Sequence, residues 1–315
     1  MPAVFPFAAI RPAREHLNEV HCAPYDTMNR EEAAAMAAGK PFSFLHVDRP
    51  DIHFDSGHDA HAPEVYAKAA AEMQRLQSEG AMEHDQQPVF TIYRQTMNGR
   101  QQTGLVCTVL ADDYSSGVIK RHEFTRPDKE DDRVAHIEAT GCQCSPVFLA
   151  YRAQNDLDAL IGAPNHPPEV DLTDDLGVRH ELWVINNPAQ VDRIATRFAA
   201  VERLYGADGH HRSAAATRIA AAHPDNEAAQ RFLVVIFPHD QLHIMDYNRV
   251  VHDLNGHDEA EFLRLVGEHF DITDGTGSPT AERSVGMYQA GRWSTLTAKP
   301  HTVEGLKVVD QLDVA

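Results

Sequence analysis

Residues 204–216 have the sequence LYGADGHHRSAAA, and this stretch decides the fold that we predict. It passes from an apolar segment through a glycine-containing turn into an alanine-rich segment, which favours a helix from His211 to Ala222. The start of such a helix presents backbone N–H groups that attract anions. We therefore expect a strand, a phosphate-binding turn and a helix, although the glycine pattern of a Walker loop is missing.

The side chains of this turn add to its capacity for anions. Gly209 allows the backbone to approach a ligand closely, and His210, His211 and Arg212 supply donors at the same point. Asp208 is suited to capping the helix, accepting a proton or ligating a metal ion. The alternative is a core helix with exposed histidines. We favour a binding site, because two histidines and an arginine in succession contribute nothing to packing.

A second polar cluster occupies residues 119–133, with the sequence IKRHEFTRPDKEDDR. Glu123 is a candidate general base, and His122 a candidate for positioning or sharing its proton. Arg121, Arg126 and Arg133 are suited to holding anionic oxygens. Thr125 is a further candidate ligand for a phosphate or a metal ion. The alternative is a solvated charged loop that leads into a helix, as most charge runs are.

Composition limits the classes of partner. The 315 residues are 43% hydrophobic, enough for one large domain or two closely packed ones. The net charge of −19 disfavours nucleic acid and anionic membranes, so an anionic ligand needs a local cluster of cations. The four cysteines, the missing signal peptide and the missing apolar span predict a protein of the reducing cytoplasm.

Strands and helices alternate along the chain, and hairpins are frequent. We predict helices at 63–79 and 128–140, strands at 42–47, 89–95, 102–110 and 232–237, a hairpin partner for the last at 242–247, and a late hairpin through Gly291. Residues 164–177 are rich in Pro and Asp, which indicates a linker or surface loop between lobes 1–163 and 178–315. The expected fold is α+β (α/β), a mixed β-sheet with flanking helices.

These motifs together resemble the bacterial and archaeal family called domain of unknown function 1015. The resemblance runs from about Phe5 to the last strands. It is carried, in order, by APYD at 23–26, RHEFT at 121–125, DDR at 131–133, SPVF at 145–148 with Tyr151, HELWVI at 180–185, ADGHHR at 207–212 and NR at 248–249.

The box at 208–212 is also similar to the phosphate-binding loop of the ParB/sulfiredoxin superfamily, which includes kinases of free L-serine. This similarity implies a ParB/sulfiredoxin-like core with insertions. By resemblance, His210, His211 and Arg212 would hold nucleotide phosphates. Asp208 would lie near the transferred group or Mg²⁺, and Glu123 would activate the substrate hydroxyl. We add Gly209, Arg121, Thr125, Arg133 and Arg249 to the predicted phosphate and nucleotide ligands.

The leading hypothesis is a nucleotide-dependent phosphotransferase, or small-molecule kinase, which uses ATP or ADP with Mg²⁺ and a small hydroxyl metabolite such as free L-serine. The alternative is a non-catalytic regulatory protein that binds a nucleotide or a phosphorylated metabolite in the same pocket. The net charge disfavours a ParB-like DNA-binding or nuclease role, and a hydrolase with a His-Glu site stays open. Nucleic acid and membrane are not expected as partners. The oligomeric state, a homodimer included, is left open.

Overall fold

The computed structural model describes residues 1–162, 164–246 and 248–305. The chain divides into two compact units, Met1–Leu242 and His243–Ala315. This division differs from the predicted lobes 1–163 and 178–315, and it places both polar motifs in the first unit. Within the described residues, no helix has both the length and the apolar character needed to cross a membrane.

The first unit contains the following strands and helices. The strands are β1 Val4–Phe5, β2 Ile10–Pro12, β3 Met82–His84, β4 Phe90–Met97, β5 Arg100–Leu110, β6 Ile119–Lys120, β7 Val147–Tyr151, β8 Val170–Thr173, β9 Arg179–Ile185, β10 Leu204–Asp208 and β11 Arg231–Pro238. The α-helices are α1 Leu17–Val20, α2 Arg30–Ala37, α3 Leu45–Asp48, α4 Pro63–Ser78, α5 Ala111–Ser115, α6 Pro127–Thr140, α7 Asn155–Leu160, α8 Pro188–Phe198 and α9 His210–Ala222. Short 3-10 turns occupy Arg14–His16, Tyr25–Thr27, Pro50–His53 and His239–Gln241.

One large sheet organises the first unit. Its strand order is β6-β10-β7-β11-β5-β4-β9-β8, and β1 also pairs with β5. The pairs β6–β10 and β7–β11 are parallel, and the other pairs of this sheet are antiparallel. The predicted mixed sheet with flanking helices is therefore confirmed, whereas the ParB/sulfiredoxin-like core stays a prediction.

The main hydrophobic core forms around this sheet. Strand β11 lies between β7 and β5, and its sequence RFLVVIFP is almost continuously apolar because the strand is buried on both faces. The core includes the fully buried side chains Phe90, Tyr151, Trp183, Phe198 and Phe232. Burying each such side chain contributes about 1.5–3 kcal/mol. Helix α6 packs against α4 and α9, which connects the sheet to a smaller hydrophobic cluster around Val47, Met73 and Leu76.

Three predicted elements differ from the structure. Residues 42–47 do not form a strand, because Leu45 and Val47 are buried on the short helix α3; a brief apolar run does not distinguish the two states. The loop predicted at 164–177 contains β8, which pairs with β9. Residues 242–246 form no hairpin with β11, and position 247 lies outside the described residues.

The second unit has its own small sheet. Its strands are β12 Phe270–Asp274, β13 Ser284–Gln289 and β14 Arg292–Ala298, in the order β12-β14-β13, and its helices are α10 Glu259–His269 and α11 Pro300–Val303. Asp258 caps α10 by accepting a hydrogen bond from the Glu261 N–H at 2.8 Å. The late hairpin predicted through Gly291 is confirmed, and Gly291 has a φ of +80°.

Candidate functional site

The two polar motifs follow neighbouring parallel strands. Leu204 pairs with Ile119 and Tyr205 with Lys120, so β6 and β10 end at the same edge of the sheet. Arg121-His122-Glu123 continues from β6, and Asp208-Gly209-His210 continues from β10 into α9. The carboxyl ends of parallel strands are the usual position of ligand sites in α/β sheets. This pairing brings together motifs that lie more than 80 residues apart in the sequence.

His122, Glu123 and His210 form one cluster at this edge. The carboxylate of Glu123 and one ring nitrogen of each histidine all lie within 4.8 Å of one another. The His122 N–H donates to Nε2 of His210 at 3.4 Å, and the His122 Nδ1–H donates to the carbonyl of Gly206 at 2.7 Å. Glu123 is exposed, whereas His210 is buried. The cluster therefore has a carboxylate at its surface and fixed imidazoles behind it.

Burial lowers the pKa of His210, and the neighbouring His122 lowers it further, against the opposing effect of Glu123. At neutral pH the His210 ring is therefore neutral. Its Nε2 accepts the hydrogen bond from the His122 backbone, so the ring proton is on Nδ1. His210 is thus suited to positioning the loop that follows β6.

Two glycines make the close approach of these elements possible. Gly209 has a φ of +88° where α9 begins, a conformation that other residues adopt at a cost. At Gly206, an added Cβ would lie 2.9 Å from Cε1 of His210. Glycine at 206 therefore leaves room for the His210 ring, and glycine at 209 allows the strand to turn directly into the helix.

The loop after β6 is attached to α9 at two further points. The backbone N–H of Arg126 donates to Nε2 of His211 at 3.1 Å. Arg121 lies with its guanidinium 5.1 Å from the Tyr114 ring centre, and the Tyr114 hydroxyl donates to the carbonyl of His210 at 3.4 Å. Thr125 lies half-buried in the same loop. The loop after β6 therefore contacts the start of α9 through the Arg126 backbone and, by way of Tyr114, through Arg121.

Arg212 points from the first turn of α9 towards the end of β10. Its Nη2–H donates to Asp208 at 2.6 Å, and its Nη1–H donates to the carbonyl of Pro146 at 2.9 Å. The Arg212 side chain is 17% exposed and that of Asp208 is 67% exposed. Asp208 is thus accessible to a ligand or a metal ion, and its position is set by Arg212.

Arg212 also lines a small cavity of about 30 Å³. The lining includes the polar side chains Tyr25, Asp48, Arg133, Ser145 and Arg212. The guanidinium of Arg133 lies 4.2 Å from the Tyr25 ring centre and forms an ion pair of 2.7 Å with Asp132. Two guanidinium groups therefore face one cavity.

Sequence reasoning missed some of these residues. Tyr25 lies in the APYD stretch at 23–26, for which the sequence indicated no chemical role, and Asp48 carried no signal because its partners are far away in the sequence. Ser145 belongs to the SPVF stretch that carries part of the family resemblance, but its position in the sequence indicated no role for it. Arg249, a predicted phosphate ligand, lies in the second unit, outside its helices and strands. Its predicted role stays a prediction.

Comparison with known proteins assigns the family. The family described as "Protein of unknown function (DUF1015)" matches residues 4–315, nearly the whole chain. Neither a curated protein nor a solved structure matches the chain. The predicted similarity to ParB/sulfiredoxin proteins therefore stays a prediction. The match over both units shows that this chain belongs to the DUF1015 family.

Proposed function

We propose that this protein is a nucleotide-dependent phosphotransferase that acts on a small hydroxyl metabolite. The observation that supports this function is the position of the Glu123 carboxylate, within 4.8 Å of a ring nitrogen of His210 at the start of α9. Phosphoryl transfer requires chiefly a site for phosphate oxygens and a base that orients the attacking hydroxyl. Both requirements have candidates within one short loop and one helix turn.

The phosphate site would lie at the start of α9. Helix α9 has 13 residues, and its first N–H groups carry the positive end of the helix dipole. Gly209 caps the helix without a side-chain hydrogen bond, so no capping side chain occupies these groups. Arg212 adds a guanidinium group in the first turn, and Arg133 adds another at the adjoining cavity. This local positive field opposes the overall charge of −19.

Glu123 would take the proton of the attacking hydroxyl. Because its carboxylate is exposed, a small metabolite can reach it, while His122 and His210 lie behind it. In the proposed step, the hydroxyl oxygen forms a bond to the terminal phosphorus, and the bond from that phosphorus to the nucleotide's bridging oxygen breaks. The hydroxyl proton goes to Glu123. The products are a phosphomonoester and ADP when ATP is the donor, or AMP when ADP is the donor.

Asp208 fits the role of a Mg²⁺ ligand beside the nucleotide phosphates. Mg²⁺ usually binds through one or two carboxylates together with phosphate oxygens, and it would neutralise charge on those oxygens. Asp208 is 67% exposed, so an ion can reach it. Its ion pair with Arg212 would have to share the carboxylate with the ion.

The test is a direct assay for phosphorylated product. Purified protein is incubated with ATP or ADP, Mg²⁺ and a panel of hydroxyl compounds that includes free L-serine, and phosphomonoesters are detected by ³¹P NMR. The proposal predicts product from at least one compound. The Glu123→Gln variant should bind nucleotide with unchanged affinity and lose turnover.

Glu138→Gln is the matched control. Glu138 is an exposed glutamate that also contacts a histidine, His223, at 2.8 Å, but it lies in the last turns of α6. Its replacement should leave turnover unchanged. Nucleotide binding without product from any compound, and equal affinity in Glu123→Gln, would instead favour a regulatory binding protein. Absence of both binding and turnover would reject both functions.

A further inference from the structure

Three potential metal ligands meet beside Arg212, outside the cluster around Glu123. Asp48 ends helix α3, His136 lies in α6, and Cys144 lies between α6 and β7. One ligand atom from each of these side chains lies within 4.8 Å of the other two. The three residues come from separate segments, so their convergence is a result of the tertiary fold.

The carboxylate of Asp48 is incompletely satisfied. Asp48 is 5% exposed, and its Oδ2 accepts a hydrogen bond from the Ser145 hydroxyl at 3.3 Å. Its Oδ1 is buried without a hydrogen-bond partner among the described residues. Buried polar atoms of native proteins nearly always have a partner, and an unpaired one needs an explanation such as a bound ion.

The backbone carbonyl of Val47 fixes the tautomer of His136. The carbonyl of Val47 accepts a hydrogen bond from Nε2 of His136 at 2.9 Å, so Nε2 carries the proton. The lone pair is therefore on Nδ1. A backbone carbonyl that fixes the tautomer in this way is a common partner of a metal-ligating histidine. His136 is 2% exposed, so its ring is shielded from bulk solvent.

We propose that Asp48, His136 and Cys144 bind a zinc ion. A carboxylate oxygen, an imidazole nitrogen and a thiolate sulfur together suit Zn²⁺, whereas Mg²⁺ and Ca²⁺ prefer oxygen ligands alone. All three residues line the cavity of about 30 Å³, which has room for about one water molecule as a fourth ligand. Three protein ligands and an open position characterise reactive zinc sites, whereas structural sites have four protein ligands.

The electrostatics of the cavity agree with this assignment. Burial raises the pKa of the Asp48 carboxyl and of the Cys144 thiol, and burial lowers the pKa of His136. The Asp48 carboxylate and the Cys144 thiolate would together balance the two positive charges of Zn²⁺. This neutrality is compatible with the nearby guanidinium groups of Arg133 and Arg212.

Cobalt titration of the full chain tests the site, and it does not depend on the proposed phosphotransferase activity. Co²⁺ bound to a thiolate gives an intense near-ultraviolet charge-transfer band, which an equal amount of Zn²⁺ should abolish. We expect the band to saturate at about one Co²⁺ per chain. The band should be lost in Cys144→Ser and retained in Cys142→Ser, because Cys142 lies two residues away but is not in the ligand group.

Asp48→Asn keeps the sulfur ligand and removes the carboxylate, so cobalt should bind it more weakly than it binds the original protein. Circular dichroism of each variant checks that it is folded, and the band of the unaltered protein is informative even where a variant unfolds. No thiolate band in the unaltered protein would overturn the proposal. A band that persists in folded Cys144→Ser would overturn it as well.

Discussion

Replacing Gly209 by alanine tests the proposed anion site at the start of α9. Gly209 has a φ of +88° and forms the start of α9. An alanine Cβ would lie 2.9 Å from Nε of Arg212 and 3.1 Å from its Nη2. The guanidinium must therefore shift, and its hydrogen bonds to Asp208 and Pro146 are strained or lost.

The change in stability and the change in binding have separate causes. The left-handed backbone costs alanine about 1–2 kcal/mol. Alanine also reduces the conformational entropy of the unfolded chain, and this effect offsets about 0.4–1 kcal/mol of the cost. A net loss of about 1 kcal/mol corresponds to a Tm lower by about 2–4 °C for a unit of this size. A displaced Arg212 loses a charge-assisted hydrogen bond to phosphate, worth about 1.5–3 kcal/mol, so nucleotide affinity should fall about tenfold or more.

Gly80→Ala is the control for the backbone cost. Gly80 has a φ of +77°, and an added Cβ would meet no atom within 4 Å. Both variants should therefore lose stability from the backbone in differential scanning fluorimetry, and Gly209→Ala should lose more because the Arg212 hydrogen bonds are also strained. In isothermal titration calorimetry with ATP and ADP, only Gly209→Ala should bind more weakly. Equal nucleotide affinity in the two variants would refute the assignment of Arg212 to the phosphate site.

Three further perturbations have defined outcomes. Glu181→Ala leaves Arg94 without its bidentate partner at 2.7 Å and should cost about 3–5 kcal/mol in urea denaturation; unchanged stability would contradict this. Burial raises the pKa of Asp132. The charge and hydrogen bond of Arg133, with the hydrogen bond of Tyr66, lower this pKa by a larger amount, so the net shift is downward. Its stabilisation is therefore complete above the unfolded pKa of about 3.9 and lost as the pH falls through the lower folded pKa. Asp132→Asn should be less stable than the original protein at pH 7, and this difference should shrink below about pH 4 in denaturant titrations; a constant difference would contradict the assignment. A zinc chelator should lower the Tm of the unaltered protein and leave that of Cys144→Ser unchanged.

Local signals predicted much of the fold. The turn at Asn98-Gly99 has φ values of +52° and +78° and joins β4 to β5, as the dipeptide predicts. Helix α4 and the strand β11 also agree with their periodicity and apolar content. In contrast, strand β8 lies in a segment rich in Pro and Asp, and it exists because β9 offers a pairing edge. Tertiary pairing of that kind leaves little trace in the sequence.

The candidate site was predictable where a short motif carries its chemistry. Residues 208–212 combine a turn, a helix start and three polar donors, and the structure places them beside Glu123. The cavity was not predictable in the same way. Asp48 and Ser145 are 97 residues apart, and each is unremarkable in its own segment. Only the tertiary contact between the end of α3 and the segment that follows α6 brings them together.

The most direct test of the central claim is a crystal structure with Mg²⁺ and a non-hydrolysable ATP analogue. The account predicts density for phosphate oxygens about 3 Å from the first N–H groups of α9 and from the Arg212 guanidinium, with Glu123 facing the terminal phosphate. A nucleotide bound with its phosphates away from α9 would contradict the account. So would a terminal phosphate that Glu123 cannot reach.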